Sequence, residues 1–386
     1  MERYAHVTGW GMAVPERVLT NADLARTVDT TDEWIVSHTG IKERRIAGRE
    51  TTASLSIEAA RAALESADLS PRQLDLIIVA TSTPEYVFPS TACVVQDALG
   101  ATNAGAFDLS AACSGFVYGV SLAANGIRAG MHQNVLVIGA ETLSRVTNWS
   151  DRGTCILFGD GAGAFVMQAS ETPGGVLSSL LRADGSGGDA LIIPAGGSHT
   201  PTTLDTVRAN QHLIEMDGKE VYRFATRVMA AATREVVAGA GLTLDDIALI
   251  VPHQANRRII DSAARALNLP EDRFVMNIDK YGNTSAASIP MALCEAVQAG
   301  RVRPNDHLVL IGFGAGLTWA ATVIQWNVTS KPEVSAWRRI GRRAVYGLSK
   351  VRSAVRRGLR RVEGVLPRDE AANGNGNGKH PPEKAN

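Results

Sequence analysis

Short apolar runs alternate with longer amphipathic runs through the first 330 residues, and parts of this pattern occur twice in the same order. Residues 67–79 read ADLSPRQLDLIIV and residues 240–251 read AGLTLDDIALIV, while residues 161–166 (GAGAFV) and 314–319 (GAGLTW) give a second echo. A pattern repeated at such a distance predicts a duplicated structural unit. Chance similarity between strands rich in Gly and Ala is the alternative interpretation. The alternation itself predicts α/β units, in which helices cover buried mixed or parallel sheets.

The chain of 386 residues is long enough for two domain-sized units, each with its own core. Apolar runs predict strands at 76–80, 106–109, 135–139, 248–251 and 308–312, and amphipathic runs predict helices at about 53–67, 90–99, 114–130, 219–240, 256–267 and 286–299.

The composition is ordinary for a globular protein, with 45% hydrophobic and 20% charged residues. Four cysteines without a C-x-x-C pair argue against a disulfide framework or a thiolate zinc site, and they favour a reducing compartment. The N-terminus lacks the basic and apolar regions of a signal peptide. No uncharged apolar run approaches the roughly 18 residues that a membrane-spanning helix requires. We therefore expect a soluble, cytoplasmic protein without a metal.

The last part of the chain differs from the rest in charge. Residues 331–386 carry 14 Lys and Arg against 5 Asp and Glu, whereas the remaining residues carry 25 against 34. Apolar residues recur every three or four positions between 337 and 366, which predicts a basic amphipathic helix over 331–366, and the Asn/Gly-rich segment 367–386 predicts a disordered tail. The helix could contact an anionic membrane surface, contact an acidic protein or the acidic body, or only solubilise the chain. Nucleic acid fits the rest of the chain poorly.

Cys113 stands where a predicted strand ends and an apolar helix begins. The dipole and free N–H groups of a helix N-terminus favour a thiolate, so this cysteine is a candidate nucleophile without a dedicated base. A buried structural cysteine is the alternative, and it is the interpretation that we give to Cys93 and Cys294 in helices and Cys155 in a strand.

His253 and Asn283 are the candidate partners of Cys113. His253 follows a strand and a proline, and Asn283 lies in a Gly-Asn-Thr-Ser turn; alone, each is as consistent with a structural role. Together with Cys113, these two residues suit one chemical step. A neutral imidazole N–H and an amide can both donate to a thioester oxygen, which would stabilise the enolate formed when a malonyl thioester loses CO2.

These segments, with several others in the same order, resemble the β-ketoacyl-acyl carrier protein synthase III family. The resemblance runs from about Val7 to Trp326 and includes the blocks TNADL (20–24), DEWI (32–35), TGI (39–41), DRGT (151–154) and FGDGAG (158–163). It implies the thiolase fold, in which two similar α/β halves, here 1–172 and 173–330, form five layers. It also implies a homodimer that needs no cofactor.

The resemblance further implies a two-stage reaction. Cys113 would take an acyl group from acyl-CoA, with backbone N–H groups of Cys113 and Ala315 as its oxyanion hole. Malonyl-acyl carrier protein would then lose CO2 against His253 and Asn283 and attack the acyl-Cys, which begins fatty acid synthesis. The alternatives are acyl transfer without decarboxylation and a membrane-recruited scaffold.

Other positions match residues of the family that handle its substrates. Trp34 and Arg152 match the pair that holds the CoA adenine, and Asn256 matches a neighbour of the pantetheine arm. Phe88 matches a residue that the partner subunit inserts into the acyl pocket, and Arg258 matches a base that docks the acidic carrier protein.

Two features depart from the family pattern. His38 stands where the family usually has an arginine that contacts the CoA nucleotide, so the source of the primer, CoA or a carrier protein, stays open. The family usually ends near Trp326, which makes the basic C-terminal segment an addition.

Overall fold

Two mixed β-sheets form the centre of the protein, as described by a computed structural model for residues 2–328, 345–347, 351–352 and 354–356. The strands are β1 (Tyr4–Ala13), β2 (Val18–Thr20), β3 (Glu43–Arg45), β4 (Leu76–Ala80), β5 (Gly105–Leu109), β6 (Asn134–Thr142), β7 (Asp160–Ser170), β8 (Gly175–Ala183), β9 (Leu191–Ile192), β10 (Glu215–Met216), β11 (Ile247–Pro252), β12 (His307–Gly314) and β13 (Thr318–Gln325). The first sheet has the order β1-β7-β6-β4-β5 and the second has the order β8-β13-β12-β11.

Helices connect the strands and cover the sheets. They are α1 (Asn21–Leu24), α2 (Asp32–Thr39), α3 (Thr52–Ser66), α4 (Thr91–Leu99), α5 (Gly115–Arg128), α6 (Arg152–Cys155), α7 (Leu204–Arg208), α8 (Gly218–Gly239), α9 (Arg257–Leu267), α10 (Ile278–Tyr281) and α11 (Ser288–Gln298).

The two sheets repeat one pairing scheme. In the first sheet β6 runs parallel to β4, and β7 runs antiparallel to both β6 and β1. In the second sheet β12 runs parallel to β11, and β13 runs antiparallel to both β12 and β8. The echoed segments 67–79 and 240–251 occupy equivalent places, because each leads from the end of a helix through a 3₁₀ turn into β4 or β11. The duplicated architecture expected from the sequence is therefore confirmed, while the exact bounds of the halves stay a prediction.

Helices and sheets alternate in five layers. Helices α3 and α4 pack on the outer face of the first sheet, and α8 and α9 pack on the outer face of the second. Helices α5 and α11 lie between the sheets in the largest apolar cluster, where Phe116 meets Phe165 edge-on with ring centroids 4.9 Å apart. Each large apolar side chain buried there contributes about 1.5–3 kcal/mol.

The start of α11 approaches the first sheet closely because that sheet presents glycines to it. A Cβ on Gly139 would lie 2.2 Å from the Ala286 carbonyl oxygen, and a Cβ on Gly163 would lie 2.7 Å from Pro290 Cβ. No side chain fits these gaps. Gly139 therefore lets Ala286 lie against strand β6, and Gly163 lets Pro290 lie against strand β7.

The predicted strands and helices are confirmed, with ends that shift by one to a few residues. Two expectations for cysteines are wrong: Cys155 ends helix α6 instead of lying in a strand, and Cys93 is exposed because α4 is a surface helix. Cys294 is buried in α11, as expected.

The predicted helix 331–366 and tail 367–386 lie outside the described residues, except for three short helical stretches at 345–347, 351–352 and 354–356. In these stretches the Tyr346 ring lies 4.7 Å from the guanidinium carbon of Arg61 on α3, and Arg352 Nη2 lies 4.0 Å from Asp97 Oδ1 on α4. Among the described residues, no helix has the length and apolar character to cross a bilayer.

Candidate active site

Cys113 lies on a tight turn between strand β5 and helix α5. The turn is a 3₁₀ segment, Ala112–Ser114, and Ala112 adopts a left-handed φ of 45°. A non-glycine residue in that region costs about 1–3 kcal/mol and persists only where the surrounding structure holds it. The turn directs Cys113 towards the second sheet, where Gly314 packs against it. The predicted strand–helix junction is confirmed.

Cys113 is 7% exposed, and the raised pKa of its thiol favours the protonated form at neutral pH. Burial raises its pKa to about 12, although a hydrogen bond with Ser285 lowers it and the nearby Glu141 carboxyl raises it further. A reaction at this sulfur therefore has to remove a proton. The effect of the helix N-terminus on the thiolate, expected from the sequence, stays a prediction.

His253 follows Pro252 at the end of strand β11 and is 1% exposed. Its Nδ1 lies 2.7 Å from the Ser288 hydroxyl oxygen, and its ring meets Phe313 edge-on at 5.2 Å. Burial lowers the pKa of the imidazole to about 3, so the ring is neutral. Because Nδ1 is occupied by Ser288, Nε2 is the ring nitrogen left to face the cavity.

Asn283 lies where the two halves of the chain meet. Its backbone N–H donates to the Leu157 carbonyl at 2.8 Å, and its carbonyl accepts from Gly159 N–H at 3.0 Å. Its side-chain Oδ1 accepts from the Ser285 N–H at 2.9 Å. With Oδ1 held in this way, the amide presents its NH2 group as a donor.

Cys113, His253 and Asn283 line one cavity of about 80 Å³, together with Asn256. Cys113 also lines a second cavity of about 390 Å³, whose walls are largely apolar. The apolar lining comprises Leu143, Val146, Phe158, Leu191, Ile192, Ile193 and Ile214. The sulfur therefore stands between a small cavity that also contains His253 and Asn283 and a larger apolar one.

The candidate oxyanion hole lies at the end of strand β12. Gly314 is so close to Cys113 that a Cβ on it would lie 2.7 Å from the Cys113 nitrogen. Ala315 lines the apolar cavity beside Cys113, and its φ is not positive, which is the condition for an alanine to serve there as a backbone donor. The arrangement is compatible with donors from Cys113 and Ala315.

Trp34, His38 and Arg152 form one surface cluster. The His38 ring stacks on Trp34 with centroids 4.3 Å apart, and the Arg152 guanidinium carbon lies 4.8 Å from the Trp34 ring centroid. Asn256 connects this cluster to the small cavity, because its Nδ2 donates to the His38 carbonyl at 3.0 Å. The predicted nucleotide and pantetheine positions are thus adjacent.

The remaining two candidates lie on the surface away from the sulfur. Phe88 is 85% exposed in the loop before α4 and does not line either cavity of its own chain. Arg258, on helix α9, lies 5.8 Å from the Tyr222 ring centroid. Their expected roles require a second molecule and stay predictions.

Three residues around the site were missed by the sequence analysis. Ser288 contacts His253, Ser285 contacts Asn283 and Cys113, and Glu141 accepts from the Ser285 hydroxyl at 3.0 Å. An acidic residue at the end of an otherwise uncharged buried strand was the available signal for Glu141.

Two duplicated α/β halves in five layers, with a cysteine, a histidine and an asparagine at their junction, define a condensing enzyme of the thiolase fold. The profile of 3-oxoacyl-[acyl-carrier-protein (ACP)] synthase III matches residues 107–185, and the profile of its C-terminal part matches residues 237–326. The chain belongs to the β-ketoacyl-[acyl-carrier-protein] synthase III family, as relatives and solved structures agree.

The β-ketoacyl-[acyl-carrier-protein] synthase III of Roseiflexus sp. (strain RS-1) is 54% identical over 328 residues, which cover 85% of this chain and 100% of the relative. The 3-oxoacyl-[acyl-carrier-protein] synthase III of Aquifex aeolicus VF5 is 47% identical, with a TM-score of 0.78 over 83% of this chain and 100% of that chain. The priming β-ketosynthase of the R1128 polyketide pathway is 37% identical, with a TM-score of 0.80 over 85% of this chain and 98% of that chain.

Proposed function

We propose that this protein condenses an acyl-CoA primer with malonyl-acyl carrier protein, giving 3-oxoacyl-acyl carrier protein, CoA and CO2, the step that begins fatty acid synthesis. The observation that carries the proposal is the position of Cys113 between an apolar cavity and a cavity that also holds His253 and Asn283. The family supports the same reaction.

In the first half-reaction the Cys113 sulfur attacks the thioester carbonyl of the primer. The carbonyl oxygen becomes an anion that the N–H groups of Cys113 and Ala315 stabilise. The bond to the CoA sulfur then breaks, CoA leaves and takes up a proton, and the acyl chain occupies the apolar cavity. Trp34, Arg152 and His38 hold the CoA nucleotide outside, and Asn256 lies along the pantetheine arm.

In the second half-reaction malonyl-acyl carrier protein enters the small cavity, with Arg258 as a docking contact for the carrier. The carboxylate leaves as CO2, and its electron pair forms an enolate. The enolate oxygen accepts from the Asn283 amide and from His253 Nε2–H, in the tautomer in which Nδ1 accepts from the Ser288 hydroxyl. The enolate carbon attacks the acyl-Cys carbonyl, and the Cys113 sulfur leaves and regains a proton. Neutral donors suit this step because they stabilise the enolate oxygen by hydrogen bonds and do not transfer a proton to it.

The chemistry needs no cofactor, because the bond to CO2 supplies the electron pair. We also propose that the protein works in the cytoplasm. Four free cysteines, of which three are buried, are compatible with a reducing compartment. The contact of the basic C-terminal segment with a membrane stays a prediction.

Intact-mass spectrometry tests the proposal. The protein is mixed with acyl-CoAs of increasing length and then chased with malonyl-acyl carrier protein, with Cys113→Ala as the control. We expect an acyl mass on Cys113 that the chase removes as a 3-oxoacyl product, and none on the variant. An acyl mass that the chase does not remove would contradict condensation, and acylation of the variant would contradict the nucleophile.

A further inference from the structure

Glu141, at the end of strand β6, is a completely buried carboxyl group that the two half-reactions do not use. It accepts from the backbone N–H groups of Ser82 and Thr83 at 3.1 Å, from the Thr83 hydroxyl at 2.7 Å and from the Thr81 hydroxyl at 3.3 Å. Within the described residues no Lys or Arg forms an ion pair with it. A buried carboxylate held only by neutral donors is costly, which suggests a use.

The two carboxyl oxygens have different surroundings. Oε2 accepts from both threonine hydroxyls and the Thr83 N–H, so it has no room for a proton. Oε1 shares the Ser82 N–H and accepts from the Ser285 hydroxyl at 3.0 Å. A proton on Glu141 would therefore sit on Oε1, where the bond to Ser285 only has to reverse its direction.

Ser285 connects this oxygen to the nucleophile. Its hydroxyl contacts the Cys113 side chain as well as Glu141, and both Ser285 and Cys113 line the apolar cavity. The backbone of Ser285 has a left-handed φ of 45°, a conformation that persists only where its surroundings hold it. Its N–H donates to Asn283 Oδ1, which helps to fix its position. Cys113, Ser285 and Glu141 thus lie in one row, with Ser285 in the middle.

We propose that Glu141 is the proton acceptor for the Cys113 thiol during acylation, with the Ser285 hydroxyl carrying the proton between them. This inference rests on the proposed acylation of Cys113. As the sulfur forms its bond to the primer, the S–H proton passes to Ser285 Oγ while the Ser285 proton passes to Glu141 Oε1. CoA leaves as a thiolate and takes its proton from solvent. In the condensation Cys113 leaves as a thiolate and regains the proton from Glu141 by the reverse path.

The surroundings suit this role. Burial raises the pKa of Glu141, which makes the carboxylate a better base than an exposed one. Among the described residues, the titratable groups that line the two cavities or contact Ser285 are Cys113, His253, Tyr222 and Glu141. Burial lowers the pKa of His253 to about 3, which makes the imidazole a poor competitor for the proton.

The test is the pH dependence of acylation, followed by intact mass in single-turnover mixing with an acyl-CoA. In the wild type the carboxylate accepts the proton, so we expect a rate that levels off at pH values where Glu141 is ionised. In Glu141→Gln and in Ser285→Ala the thiol has to lose its proton to solvent, so we expect a slower rate that rises about tenfold per pH unit. Alkylation of Cys113 by iodoacetamide should follow the same profiles without any acyl-CoA.

Thr81→Val is the matched control, because it removes a donor to Oε2 and leaves the row intact; its profile should level off as in the wild type. A wild-type profile in both Glu141→Gln and Ser285→Ala would overturn the inference, and so would a steadily rising profile in His253→Ala alone. If Glu141→Gln fails to fold, Ser285→Ala and its alkylation profile decide. If the wild type is not acylated at all while its alkylation profile differs from that of Ser285→Ala, the proposed function fails and the proton path stands.

Discussion

The chemistry of the candidate site depends on the protonation state of single residues and on which of their hydrogen-bond donors are left free. Asn283 keeps its amide NH2 free for a substrate because Ser285 occupies Oδ1, and His253 is kept neutral by burial. The two residues therefore act as fixed dipoles. Their stabilisation of a negatively charged oxygen is larger in a cavity from which water is excluded.

Asn283→Ala should separate the half-reactions. It removes one donor to the enolate oxygen, so CO2 release should fall by about 10²–10³-fold. It also removes the Oδ1 that accepts from the Ser285 N–H, so acylation of Cys113 should fall as well, but by less than CO2 release. The two rates are measured as CO2 release and as intact mass on the same preparation. A larger loss of acylation than of CO2 release would contradict the assignment.

His253 should make the protein sensitive to acid. Its pKa is about 3 in the folded protein and 6.5 ordinarily, so between these values the unfolded chain binds a proton that the folded protein does not. Stability should therefore fall as pH falls from 6.5 towards 3, by about 1.4 kcal/mol per pH unit from this residue. Urea unfolding at several pH values measures the slope in the wild type and in His253→Asn. Equal slopes would show that His253 is not the cause.

Strand β12 positions the nucleophile, because its last residue, Gly314, packs directly against Cys113. A Cβ on Gly314 would meet Cys113 N at 2.7 Å and Sγ at 3.1 Å, so Gly314→Ala should shift the Cys113 turn. We expect acylation to slow at least tenfold, with a loss of about 1–3 kcal/mol in unfolding free energy. Gly197→Ala, whose Cβ would meet nothing within 4 Å, is the control. Normal acylation in Gly314→Ala would contradict the prediction, because it would show that the Cys113 turn accommodates the added Cβ without loss of reactivity.

The strands and helices could be predicted because their apolar periodicity is local information. The three side chains at the site could be named from short segments, but their meeting place depends on long-range packing, such as the approach of residues 283–288 to Gly139. Glu141 escaped prediction because its partners come from residues 81–83 and 285, which no local pattern connects. The raised pKa of Cys113 could not be predicted, because the depth of burial is a property of the whole fold.

At the scale of the whole molecule, the edge of the first sheet is a candidate dimer surface. Strand β5 is the edge strand, Phe107 on it is 40% exposed, and the loop with Val87 and Phe88 lies nearby, since Thr91 N–H donates to Asp108 of β5 at 2.7 Å. An uncovered strand edge with apolar side chains favours pairing with another chain.

Phe107→Lys should therefore weaken self-association, because a charge would be buried at the β5 edge. Sedimentation velocity should show a dimer for the wild type and a shift towards monomer for the variant. Met131→Lys, at an exposed methionine on the turn after α5, is the control and should remain dimeric. A wild-type monomer would contradict the dimer expected from the family resemblance.

Removal of residues 331–386 should leave turnover within about twofold of the full chain, because the candidate site lies between Trp34 and Ala315. The same pair of proteins, mixed with vesicles containing anionic lipid, tests the membrane prediction by co-sedimentation. Loss of turnover on truncation would mean that the segment supports the site.

The backbone bonds of Asn283 to Leu157 and Gly159 join the two halves of the chain next to the nucleophile. Neither half holds a complete cavity by itself, since Cys113 comes from one and His253 and Asn283 come from the other. A chain cut between the halves and supplied as two fragments would regain turnover only by reassembly. Turnover by such a pair of fragments would therefore measure how well the two halves reassociate.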